Sequence, residues 1–197
     1  AFAVPGVLSF GASAKPVSKA KAPKVLVVYF SRPGMNYVSG DMVNLPVGNT
    51  EKFAKIIAKT LDAPLFRIEP VTPYPFDYRK TTAIAREERS AGKARDAKAI
   101  PDIRGYDVIF WGHPIWYGEM PYIVRGVLSK LDCAGKTIVP FVTHEGSGIG
   151  DTANLVRSFQ KRAAVREGLG ILGTRFARNE PVEPEITAWL KRLGYQK

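Results

Sequence analysis

Five times along this chain a short run of apolar, often β-branched residues gives way to a stretch whose apolar residues recur at helical spacing. KVLVVYF (24–30) is the first such run, and its near-continuous apolar character is that of a strand covered on both faces. TEKFAKIIAKTL follows, with Phe53, Ile56, Ile57 and Leu61 on one side and charges on the other. LFRIEP (65–70), YDVIFWGHP (106–114), TIVPFVTHEG (137–146) and VREGLGIL (165–172) read as the later strands. Helices are predicted over most of 74–97, over 121–131 and over 151–162. EPEITAWLKRLGY closes as a helix with Ile186, Trp189, Leu190 and Leu193 on one face. Such alternation implies crossover connections around a parallel sheet. Five units predict an α/β three-layer sandwich whose doubly wound, five-stranded parallel sheet has strand order 2-1-3-4-5.

In a sheet of that order, ligands sit beyond the carboxyl ends of the strands, near the point where the winding reverses. Three loops occupy those ends here: 31–50, 112–121 and 143–151. In the first, Gly48, Asn49 and Thr50 open a helix. A helix start offers unpaired N–H groups and partial positive charge, so it holds a phosphate without a lysine. Asn and Thr are equally ordinary capping residues, so these three alone leave capping and phosphate binding both open. The second loop, GHPIWYGEMP, sets Trp116 and Tyr117 just past a buried strand. Either aromatic would stack on a flat ligand, or Trp116 would pack beneath a loop or against a partner subunit. Gly118 allows a peptide orientation that other residues resist. The third loop, THEGSGIGD, can wrap a ligand edge with backbone donors and acceptors. His144 and Glu145 within it invite an acid–base reading, with no third residue spaced for a metal site.

These motifs resemble those of the flavodoxin family: a YFSR strand end, GNTE at the helix start, GHPIWYG after the third strand and THEGSG after the fourth. The resemblance runs from Lys24 to about Tyr195. It implies FMN, with the phosphate held by Ser31, Arg32, Asn49 and Thr50 beside Gly48. It also implies an isoalloxazine stacked on Trp116 or Tyr117, within the loop Pro114, Ile115, Trp116, Tyr117, Gly118. The ring would be edged by Thr143, His144, Glu145, Gly146 and Ser147. One departure stands out. The family pattern S-x-T-G-N-T places a single residue between strand-end dipeptide and glycine, whereas Pro33 to Val47 lie between them here. An inserted loop at 33–47 that leaves the cradle and returns to the helix start is expected, with Tyr37, Met42 and Leu45 available as a flap.

Composition narrows the rest. A chain of 197 residues suits one domain (24–197), and no segment is long and apolar enough to span a membrane. The single cysteine, Cys133, excludes an intrachain disulfide and reads as a small buried residue. The net charge of +11 is spread along the chain without a basic run or interleaved aromatics, which disfavours nucleic acid. Residues 1–23 read as a leader. Ala12-Ser13-Ala14 has the form of a signal-peptidase site, so export to the periplasm is one expectation. An uncharged packing arm on a cytoplasmic protein is the other. The functional expectation is a redox carrier serving a partner protein or a small acceptor such as a quinone. The alternatives are an NAD(P)H-dependent quinone reductase of the same fold and a module that has lost FMN.

Overall fold

The structure, a computed structural model, describes residues 22–195. The leader's Ala12-Ser13-Ala14 and the uncharged stretch around it lie outside those residues. Among the described residues no helix is long and apolar enough to cross a membrane.

Four strands form the body of the sheet: β1 (Val25–Tyr29), β4 (Leu65–Arg67), β5 (Val108–Pro114) and β6 (Thr137–His144). They lie side by side as β4-β1-β5-β6, all parallel. The fifth position is shared by β7 (Ala164–Val165) and β8 (Leu169–Leu172), both parallel to β6. The order is therefore the expected 2-1-3-4-5, with its last member in two pieces.

The break has a local cause. Ile138 accepts from Arg166 N–H, so Ile138, Pro140 and Val142 face the fifth strand with their backbone polar groups. Pro140 has no N–H to give. The register confirms a slip: Thr137 pairs with Ala164, whereas Phe141 pairs with Leu169, so the outer strand carries one extra residue.

Side chains alternate across the sheet, as the period of a strand demands. Val27, Tyr29, Phe110 and Phe141 meet Phe53 and Ile57 of α1 (Asn49–Leu61) and Trp189 and Leu190 of α6 (Glu183–Arg192). Leu26, Val28, Ile109 and Trp111 meet Ile123 and Val127 of α3 (Tyr122–Leu128) and Val156 of α4 (Thr152–Phe159). That second layer also buries Cys133, whose thiol burial pushes up to about 11. The predicted polar helix is α2 (Tyr78–Ala91), capped by Asp77, whose carboxylate accepts from Lys80 N–H at 2.8 Å.

The residues between Arg32 and Gly48 fold as an antiparallel hairpin, β2 (Gly34–Val38) and β3 (Asp41–Leu45). Its two-residue turn is Ser39-Gly40, with φ of 49° and 104°. Both positive angles match the tight turn whose twist suits paired strands. Leu45 at the foot of the hairpin is buried, while Tyr37 and Met42 are exposed.

Candidate functional site

Because β1, β5 and β6 are parallel neighbours, the loops that follow them open on one rim. A cavity of about 150 Å³ lies among them. Ser31, Arg32, Asn49, Thr50, Pro114, Ile115, Trp116, Thr143, His144 and Glu145 line it. A second cavity, about 290 Å³, shares Arg32, Asn36, Tyr78, Ile115 and Trp116 with the first and adds Tyr117. Of the sequence-predicted residues, Gly48, Gly118, Gly146 and Ser147 line neither cavity.

The helix-start half is built by close approach. Gly48 is the N-cap of α1, and a Cβ there would stand 2.3 Å from Ser31 Oγ and 2.7 Å from the Arg32 carbonyl oxygen. The Glu51 N–H donates to Ser31 Oγ at 3.1 Å. The N–H groups of Asn49 and Thr50 meet no acceptor among the described residues, and the buried Asn49 Oδ1 has no partner either. Thr50 Oγ1 and Thr143 Oγ1 lie 2.7 Å apart, tying the helix start to the end of β6. Two free amides at the positive end of a helix, beside small hydroxyl side chains, are an arrangement that can hold a phosphate group.

Arg32 lines the cavity while its guanidinium binds backbone carbonyls. It is 8% exposed, and its guanidinium donates to the carbonyls of Pro75 (2.9 Å), Phe76 (3.2 Å) and Met35. Burial lowers its pKa. It thereby pins the hairpin to the segment leading into α2.

The aromatic half centres on Trp116. Its ring meets Phe30 edge-on at 5.5 Å and Tyr74 at 4.9 Å, yet it still lines both cavities. Tyr117 and Gly118 form a tight turn, with φ of 51° and 79° and paired hydrogen bonds between Trp116 and Glu119. Tyr117 is 42% exposed, and its hydroxyl donates to the Thr82 carbonyl at 2.9 Å. A Cβ on Gly150 would approach the Gly118 oxygen to 3.3 Å, so the second and third loops meet there.

The third loop is held by its own polar residues. The Gly146 N–H donates to His144 Nδ1 at 3.0 Å, and burial lowers the pKa of His144. Glu145 accepts from Thr174 Oγ1 (2.6 Å), at the start of α5 (Gly173–Ala177), and from the Ser39 N–H (3.3 Å) at the hairpin tip. The carboxylate so links hairpin and α5 across the cavity. Among the described residues no group of three His, Cys, Asp or Glu could hold a metal ion.

The sequence motifs do not point to three of the lining residues, Asn36 on β2, Tyr78 on α2 and Gly173, whereas Tyr37 on β2 is one of the residues expected as a flap. Gly173 carried a readable signal, a glycine directly after the last strand. A Cβ there would sit 2.8 Å from both Asn49 Nδ2 and Glu145 Oε1.

A flavodoxin family model matches residues 24–193. The chain belongs to the flavodoxin family. Among solved structures, this flavodoxin is similar to a protein assigned as a flavoprotein in Bacteroides eggerthii DSM 20697. The two are 27% identical over 87% of this chain and 98% of that one, with a TM-score of 0.69. A counterpart from Bacteroides uniformis ATCC 8492 is 23% identical over 87% and 99% of the two chains, with a TM-score of 0.66. The flavoprotein of Lactobacillus acidophilus NCFM, solved in complex with FMN, is 20% identical over 76% and 93%, at 0.56. The last two likenesses show a shared fold. No curated protein matches this flavodoxin chain.

Proposed function

We propose that this flavodoxin binds FMN at the rim cavity and carries electrons to a partner protein or a small acceptor. FMN supplies one- and two-electron redox chemistry; the chain supplies the binding site, the orientation and the exclusion of water. One observation carries the reading: Asn49 and Thr50, whose N–H groups are free among the described residues, and Trp116 border a single cavity. The helix start would hold the phosphate, Trp116 would cover the ring, and Thr143 with the third loop would edge it. Tyr37 stands on the hairpin side, 41% exposed, where it would limit solvent access.

The absorbance spectrum of the protein as purified tests the reading, because bound flavin colours it. Colourless protein that takes up no added FMN would end the proposal. Trp116→Ala should weaken FMN by about tenfold, the worth of one good aromatic stack. Unchanged affinity in a titration of apoprotein would remove the stacking role.

The second cavity favours one further reading, a reductase that passes hydride from a nicotinamide nucleotide to a quinone. It adjoins Trp116 and is walled by Tyr78 and Tyr117, so a planar acceptor would have room beside the ring. Rapid turnover of NADPH with a quinone, without a separate reductase, would favour the enzyme over the carrier.

A further inference from the structure

A cavity larger than either of those at the rim stands apart from the proposed cofactor site. It encloses about 570 Å³, within the range of small-molecule sites, and stands on the far side of Ser31 and Arg32, which wall both spaces. The inserted hairpin builds one side with its two feet, Pro33-Gly34 and Asn44-Leu45-Pro46. The other side is the end of β4 and the segment after it, including Ile68, Pro73, Tyr74 and Phe76. The insertion that interrupts the phosphate motif is thus what makes this second space.

Its chemistry is apolar with an excess of positive charge. Arg32, Arg67 and Lys98 line it, against Glu69 alone. Arg67 is paired with Glu51 at 3.1 Å and Lys98 with Glu69 at 3.0 Å. Among the described residues Arg32 has no carboxylate in salt-bridge contact, only carbonyls, although buried charges are ordinarily paired. Phe76 lines the cavity while 61% exposed, a large apolar face that an occupant would cover.

We propose that this cavity binds an amphipathic organic anion, a flat apolar body bearing one carboxylate or sulfonate, at a site separate from the cofactor. The prolines, Tyr74 and Phe76 take the body, and the positive wall of Arg32, Arg67 and Lys98, three cations against the single carboxylate of Glu69, takes the anionic group. The hairpin is then a binding element in its own right.

Isothermal titration of the FMN-saturated protein with 8-anilinonaphthalene-1-sulfonate tests this, with the neutral N-phenyl-1-naphthylamine as comparator. One equivalent of the sulfonate should bind without releasing FMN, and more tightly than the neutral amine. Lys98→Glu, at a side chain 55% exposed, should weaken the sulfonate about tenfold and leave the amine unchanged. Glu69→Gln should tighten it severalfold, an opposite sign that general destabilisation would not produce. Pro73→Trp, at the exposed mouth, should weaken both probes by filling the space. Failure of the sulfonate to bind the FMN-loaded protein, its competition with FMN, or indifference to Lys98→Glu and Glu69→Gln would each overturn the proposal.

Discussion

Gly48→Ala should reduce FMN affinity at least about a hundredfold, roughly 2.7 kcal/mol of binding free energy. The backbone is not the obstacle, since Gly48 has φ −66° and ψ 150°, angles that alanine adopts freely. Contact is. The added methyl would lie 2.3 Å from Ser31 Oγ, 2.7 Å from the Arg32 oxygen and 3.0 Å from the Arg32 carbonyl carbon. The hydroxyl can rotate away, but the Glu51 N–H, which donates to both Ser31 Oγ and the Gly48 carbonyl, then keeps only the second acceptor. The Arg32 carbonyl is backbone and moves only if the strand end and the helix start separate. Separation displaces the amides of Asn49 and Thr50 from the end of β1, and a phosphate site depends on their common aim. Quenching of flavin fluorescence on titration into apoprotein measures the effect. Ser31→Ala combined with Gly48→Ala should restore part of the affinity, because it clears the hydroxyl and leaves the carbonyl in place. Affinity within threefold of the original in Gly48→Ala would show that close approach is not what the cradle needs.

The strands were legible because each central one is an unbroken apolar run, and the helices because Phe53 and Ile57, or Trp189 and Leu190, share a face. The three rim loops followed from topology alone, since every parallel strand delivers its carboxyl end to the same side. What escaped was decided by single atoms or by distant chain. The hairpin's turn signal, Ser39-Gly40, is short, and its flanking strands alternate too weakly to stand apart from a loop. The split fifth strand hinges on one missing N–H at Pro140 in the neighbouring strand, a cause that lies in β6 and not in the strand it breaks. Asn36 and Tyr78 reach the cavity from elements that no motif ties to it. Arg32 was legible as a residue of the site, but the sequence does not reveal where a guanidinium points. Three carbonyls from two other segments decide that.

His113 should make the fold acid-sensitive between about pH 6.5 and 4. It is 0% exposed on β5, directly before the cavity residue Pro114. Nδ1 lies 3.0 Å from the Pro114 carbonyl oxygen and donates to it, while Nε2 has no partner among the described residues. Burial brings its pKa down from 6.5 to about 4, the hydrogen bond to Pro114 works the other way, and the charge of Arg125 adds to the lowering. The unfolded chain therefore binds the proton first as pH falls. Between those two values the unfolded state carries more protons than the native state, so stability drops with pH through the window and the loss is complete near pH 4. Its size is roughly 3 kcal/mol, from about 1.4 kcal/mol for each unit of displacement. His144, also lowered by burial, adds in the same direction. Native carboxylates add their own acid dependence, so the discriminating quantity is a difference between proteins. Urea unfolding at pH 7, 6, 5 and 4.5 should give a shallower decline for His113→Gln, which keeps a neutral donor at the site, than for the parent. Parallel declines would mean that His113 is charged in the native fold or reaches water. Neither agrees with a fully buried ring whose only hydrogen bond among the described residues is to the Pro114 carbonyl at the cavity wall.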